Sequence, residues 1–154
     1  MNVAQQPSRV LVVGAGTMGH SIAQVFAQAG LIVDLADTNT KVLEGAVKRI
    51  EANLSTIKEA EGSSGSETAT YVEAVMQNIR PTEDLGEVPE LAEIVFEAVY
   101  ESRETKQEVF DALESRLSSE AIIASNTSVL NLFEEVELSH PERLVCAHWF
   151  APPH

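Results

Sequence analysis

Val10-Leu11-Val12-Val13-Gly14-Ala15-Gly16-Thr17-Met18-Gly19 is the stretch on which the rest of the chain depends. Four apolar residues, mostly β-branched, run into a G-x-G-x-x-G turn. Apolar residues then recur at helical spacing through Ile22, Ala23, Val25, Phe26 and Ala29. The pattern predicts strand, tight turn and helix, the unit that cradles the diphosphate of a dinucleotide. Gly14 permits the turn, Gly16 lets backbone approach a ligand, and Gly19 lets helix pack against strand. Ala15, Thr17 and Met18 complete the loop, and the helix start offers N–H groups and a positive dipole end to an anion.

A second signal narrows the ligand. Gly30 stands where a helix C-cap is wanted, and Leu31-Ile32-Val33-Asp34-Leu35-Ala36-Asp37 reads as a second strand. It ends in an acid 18 residues after Gly19, the range in which a carboxylate meets the ribose 2′-hydroxyl of NAD. That charge would repel a 2′-phosphate, and no Lys or Arg follows before Lys41. NAD is therefore favoured over NADP, with a plain strand-end or helix-capping acid as the alternative reading of Asp37.

Composition sets the outer bounds. The chain has 154 residues, 44% hydrophobic and 22% charged, enough for one domain with a proper core. Its net charge of −14 argues against nucleic acid or an anionic membrane as partner. No apolar run is long enough to span a bilayer, and the polar start lacks a signal-peptide core. One cysteine, Cys146, excludes an internal disulfide and suits a reducing, cytoplasmic setting. Four scattered histidines provide no metal-ligand spacing.

Beyond the first βαβ unit, Thr38-Asn39-Thr40 caps a long helix reaching about Ala60, and a second helix runs from about Glu67 to Gln77. Between them Gly62-Ser63-Ser64-Gly65-Ser66 reads as flexible. The pair predicts a helical hairpin inserted after the second strand. A weak strand at Ile79-Arg80-Pro81, a short helical turn over Asp84 to Leu91 and a strand over Ile94 to Val99 follow. Then come a helix over Glu104 to Leu117, a strand at Ala121 to Ala124, an amphipathic turn over Leu130 to Val136 and a strand at Leu144 to Ala147. Alternating strands and helices predict an α/β fold with a doubly wound parallel sheet of Rossmann type.

In such sheets ligands bind beyond the carboxyl ends of the strands. Glu101, Ser128 and His148 each follow a strand and should converge beside the cofactor. Hydride transfer from a hydroxyl needs a base for the oxygen-bound proton, for which His148 is suited, and a hydroxyl such as Ser128 to orient the oxygen. The plainer readings are a turn-capping Ser128, a core His148, a loop-shaping Asn126 and a His20 that is only a helix residue. His140 belongs to a surface turn, Cys146 is most simply core, and Trp149-Phe150 serves packing.

Gly14-Ala15-Gly16-Thr17-Met18-Gly19, Glu97-Ala98-Val99 with Glu101 and Lys106, Ser125-Asn126-Thr127-Ser128, and His148-Trp149-Phe150-Ala151-Pro152 occur in that order. Together they resemble the NAD-binding domain of L-3-hydroxyacyl-CoA dehydrogenases, over nearly the whole chain. The resemblance implies NAD-dependent oxidation of an L-3-hydroxyacyl-CoA to the 3-ketoacyl-CoA, as in fatty acid β-oxidation. It implies His148 as general base, Ser128 contacting substrate and nicotinamide, Glu101 and Lys106 lining the cofactor, Asp37 on the adenosine ribose, and a substrate-facing hairpin. It also implies a glutamate that orients the histidine, an asparagine and a helical dimerisation domain, all beyond His154. Residues 1–154 are then the NAD-binding part of a homodimeric enzyme, binding cofactor and nearly inert alone.

Two departures matter. Ala151 stands where the family has an asparagine near the nicotinamide, and Asn53 and Ala60 align with its CoA-contacting Ser and Lys. A free 3-hydroxy acid therefore stays open as substrate, as does a non-catalytic NAD-binding module.

Overall fold

The computed structural model describes residues 8–87 and 92–153. Six parallel strands form one sheet in the order β3-β2-β1-β4-β5-β6, from β1 (Arg9–Val13), β2 (Ile32–Ala36), β3 (Ile79–Thr82), β4 (Ile94–Glu97), β5 (Ile122–Ser125) and β6 (Leu144–Cys146). Five helices connect them: α1 (Gly19–Gln28), α2 (Thr40–Ala60), α3 (Gly65–Met76), α4 (Arg103–Glu114) and the single turn α5 (Leu132–Glu135). The doubly wound architecture follows from the sequence. Strands buried on both faces read as continuous apolar runs, and their period of two sends alternate residues to opposite helical layers.

Val10, Val12, Val33 and Leu35 meet the layer of α1, α2 and α3, where Ile22, Ala46, Ile50 and Leu54 are fully buried. Leu11, Val13, Val95 and Ile123 meet the opposite layer, where Phe110 and Leu113 of α4 close the core. Asp34 breaks the apolar run of β2 and is buried; the Arg9 guanidinium grips both its carboxylate oxygens. β1 pairs with both β2 and β4, so the chain reverses direction across the sheet there. A crevice opens at that switch point, above the carboxyl ends of the strands.

The helical hairpin is present as α2 and α3, but the linker differs from the expectation. Asn39 caps α2 through Lys41 and Val42, and Gly62 (φ +85°) closes it. Ser64 then starts α3 at Gly65, two residues ahead of the expected position, through a reciprocal capping box with Glu67. Half of the glycine–serine stretch is thus helix start, because its serine caps rather than loosens the chain. Cys146, expected in the core, is exposed on the outermost strand, β6. The turn expected over Asp84 to Leu91 appears as a 3₁₀ turn at Leu85–Glu87, and its remainder lies outside the described residues. Among the described residues no helix is long and apolar enough to cross a membrane.

Candidate active site

A cleft of about 910 Å³ lies over the carboxyl ends of β1, β4, β5 and β6. One end is formed by Gly14, Gly16, Thr17 and Asp37, the other by Glu101, Asn126, Ser128 and His148. That size falls in the range of small-molecule and cofactor sites.

At the first end the backbone does the shaping. Gly14 takes φ +94°, and a Cβ there would lie 2.6 Å from the carbonyl oxygen of Ala98. A Cβ on Gly16 would instead meet nothing within 4 Å and would project into open space, as expected where a ligand approaches the chain. Gly19 is buried and sits so near the Gly14 carbonyl that it serves packing, not ligand contact. The start of α1 has neither a side-chain cap nor an acid in its first turn. Its N–H groups and dipole are left for an anion.

Asp37 ties this loop to β2. Its Oδ2 accepts from Ala15 N at 2.8 Å and its Oδ1 from Asn39 N at 2.9 Å. Each carboxylate oxygen keeps a further lone pair for a diol. His20 is more than a helix residue. It is buried with Nδ1 2.7 Å from the Gly16 carbonyl oxygen, and since a carbonyl only accepts, Nδ1 carries the proton. The glycine loop and its dinucleotide thus fit on three observations: an open Gly16 face, an uncapped helix start and a carboxylate at the strand end.

The second end is built from side chains. Glu97, fully buried at the end of β4, receives both N–H bonds of Lys106 Nζ at 2.8 Å and a bond from the Ser125 hydroxyl. Lys106 Nζ also lies 3.2 Å from Glu101. Glu101 accepts from the Thr127 hydroxyl and from the N–H groups of Ser128 and Val129. Burial alone would push its carboxyl up. The Thr127 bond, the Lys106 charge and the Val129 N–H outweigh it, and the pKa lies below the usual carboxylate value.

This geometry corrects one expectation. Lys106 is 1% exposed and forms no part of the cleft wall. It acts on the cleft through Glu101, which it anchors, and so on the loop carrying Ser128. Ser128 and His148 are both exposed on the cleft side, and the His148 ring lies tilted against Phe150 with centroids 4.8 Å apart. No carboxylate among the described residues bonds His148. Trp149 packs on Phe26 and Phe96, as expected of a packing residue.

The sequence motifs include Glu97 and Thr127 without giving either a role of its own, and leave Asn126 as a loop residue. A signal existed for the first: Glu97 interrupts an apolar strand, and Lys106 precedes Phe110 by one helical turn on the core face of α4. Two opposite charges at core positions of consecutive elements announce a buried pair.

Comparison with known proteins agrees with this layout. Residues 9–154 match the family described as 3-hydroxyacyl-CoA dehydrogenase, NAD binding domain. The chain belongs to that family. NAD is accordingly its cofactor. A probable 3-hydroxybutyryl-CoA dehydrogenase of Bacillus subtilis is 36% identical over 145 residues, 94% of this chain and 49% of the relative. A 5-formyl-3-hydroxy-2-methylpyridine 4-carboxylate 5-dehydrogenase of Mesorhizobium japonicum is 30% identical, over 94% of this chain and 45% of its own length. The solved 3-hydroxybutyryl-CoA dehydrogenase of Escherichia coli superimposes with a TM-score of 0.82 at 30% identity, covering 97% of this chain and 31% of that one. The chain thus spans half or less of these relatives.

Proposed function

We propose that this domain serves an NAD-dependent oxidation of an L-3-hydroxyacyl substrate to the 3-keto product, with CoA as the carrier. The observation that carries the reading is the convergence of Ser128 and His148 on the cleft whose other end is the dinucleotide loop. NAD, held by the Gly14–Gly19 loop and Asp37, would supply the hydride acceptor. His148 takes the hydroxyl proton on its free ring nitrogen, and Ser128 Oγ hydrogen-bonds the same oxygen and fixes its direction. Glu101, held by Lys106 and Thr127, fixes the loop from which Ser128 reaches.

The relatives' greater length supports a further proposal. The carboxylate that orients His148, the helical dimerisation domain and the contacts between homodimer subunits belong to residues outside 1–154, in a cytoplasmic enzyme.

Specific observations favour a second substrate, a 3-hydroxy acid without CoA. Asn53 donates to Gln24 Oε1 at 3.2 Å, turned onto α1, and Lys58 pairs with Glu61 while lying over the Tyr71 ring. Of the two hairpin positions that align with CoA contacts, Asn53 is thus engaged within the fold and Ala60 lacks a polar group, while Lys58, near Ala60 but off its register, is already paired. The Mesorhizobium relative is by its name a dehydrogenase of a pyridine carboxylate. Oxidation of NADH with acetoacetyl-CoA or with acetoacetate, followed at the nicotinamide absorbance in the intact protein, separates the two. Turnover with acetoacetyl-CoA and its loss in His148→Gln are expected; no turnover with acetoacetyl-CoA would overturn the CoA reading, and turnover with acetoacetate alone would establish the free acid.

A further inference from the structure

We propose that Asn126 is a positioning residue for His148, acting through a hydrogen bond from its side chain to the backbone next to the histidine. The proposal rests on His148 being the base.

β5 and β6 run in parallel register, Ser125 opposite Cys146, and the last ladder bond runs from Ala147 N to the Ser125 carbonyl at 2.8 Å. In a continued parallel ladder the next N–H on this edge, that of Trp149, would bond the carbonyl of residue 127. β5 has ended by then. The chain turns aside so that the Thr127 hydroxyl and the N–H groups of Ser128 and Val129 reach Glu101. The Asn126 side chain supplies the lost acceptor, taking the Trp149 N–H on Oδ1 at 2.7 Å. Its own backbone N–H is tied to the Glu97 carbonyl at 2.8 Å. His148 is therefore held between two anchored peptides, Ala147 on Ser125 and Trp149 on Asn126.

The bond also orients the amide. A backbone N–H only donates, so the atom facing it must be the oxygen. Among the described residues the Asn126 Nδ2 group has no partner, and Asn126 lines the cleft. The anchored segment is otherwise held by the Trp149 ring, packed on Phe26 and Phe96, and not through His148 itself. His148 is exposed, its ring touching Phe150, itself 78% exposed. The packing fixes the Trp149 ring, and the tie at its N–H fixes the peptide that joins it to His148. Loss of placement by an ångström or so costs on the order of a hundredfold in a reaction that depends on near-attack geometry.

The test uses the intact enzyme and whichever 3-keto substrate the wild type reduces, acetoacetyl-CoA or acetoacetate. Asn126→Ala removes the tie, Asn126→Asp keeps an acceptor oxygen at the same reach, and His148→Gln reports on the base. Amide hydrogen exchange at Trp149 reads the tie without reference to turnover. Asn126→Ala is expected to lower kcat tenfold or more, to leave the KM for NADH within about twofold and to speed exchange at Trp149. Asn126→Asp is expected to keep the amide protected and recover most of kcat, a rescue that a general loss of stability would not produce. Asn126→Ser, too short to reach the N–H, serves in place of the alanine variant if the latter does not fold. Wild-type kcat with a freely exchanging Trp149 amide would overturn the proposal. So would an Asn126→Asp enzyme as slow as the alanine variant with its amide still protected. Full turnover in His148→Gln would instead overturn the base assignment, and the proposal with it.

Discussion

The two ends of the cleft are built on different physics. Around Gly14 to Gly19 the ligand surface is backbone, and its shape comes from the absence of side chains: Gly14 passes Ala98 where no Cβ fits, and Gly16 faces open space. Around Glu97, Lys106 and Glu101 the surface is set by buried charge, a lysine with three carboxylate contacts at 2.8 to 3.2 Å. The glycine end works by steric permission: at Gly14 the fold itself has no room for a side chain, and at Gly16 the room belongs to the ligand. The ionic end works by mutual neutralisation and tolerates nothing removed.

That contrast orders the expected effects of substitution. Lys106→Met leaves two carboxylates facing each other with Glu97 still sealed from water. Breaking a buried pair in this way typically costs about 3–5 kcal/mol, so a large fall in the urea midpoint is expected. Adding Glu97→Gln should restore part of the loss, since no unpaired buried charge remains. A double variant no more stable than Lys106→Met would show that the pair is not the source of the effect.

Gly14→Ala attacks the other end by addition. It combines a positive φ with an overlap on Ala98, for which about 3 kcal/mol is expected, together with loss of NADH binding by titration. Unchanged affinity would show that the loop can shift, and the steric account would fail.

Asp37→Ala leaves the ionic end untouched and removes one ligand contact, together with the carboxylate's bonds to the Ala15 and Asn39 N–H groups. NADH binding is expected to weaken about tenfold, the scale of a hydrogen bond to a charged group, while NADPH binding changes less. Equal affinity of the unsubstituted domain for the two cofactors would remove Asp37 from the ribose.

The smallest effect is a pH dependence confined to the ionic end. Glu101 has a lowered pKa when folded, so its contribution is fully present above the ordinary glutamate value of about 4.3 and is lost as pH falls through the depressed one. With its side chain about 30% exposed, a contribution on the order of 1 kcal/mol or less is expected. Unfolding free energies measured from pH 7 down to about 3 should decline less steeply for Glu101→Gln than for the wild type. Parallel curves would mean that the carboxylate is paired equally well in the unfolded chain.

How far the chain could be read without coordinates differed between the same two ends. Strand, turn and helix around Gly14 were legible because local patterning dictates them, and Asp37 because its spacing follows from one βαβ unit. The hairpin was legible from its three- and four-residue periodicity. The start of α3 was misplaced because Ser64 has the composition of a linker and the chemistry of a cap. Cys146 was misassigned because a three-residue strand carries no reliable alternation.

From residue order alone come the doubly wound fold, the cofactor loop, the acid at Asp37 and the strand ends on which Glu101, Ser128 and His148 sit. These depend on contacts between near neighbours in the chain and on a crossover rule that leaves few topologies. Only the tertiary structure decided that Lys106 is buried on Glu97 instead of facing the cleft, and that Asn126 stands in for a missing ladder carbonyl. Those bonds join residues 9 and 23 positions apart across separate elements. Their geometry exists only once α4 has packed on the sheet and β5 and β6 lie side by side.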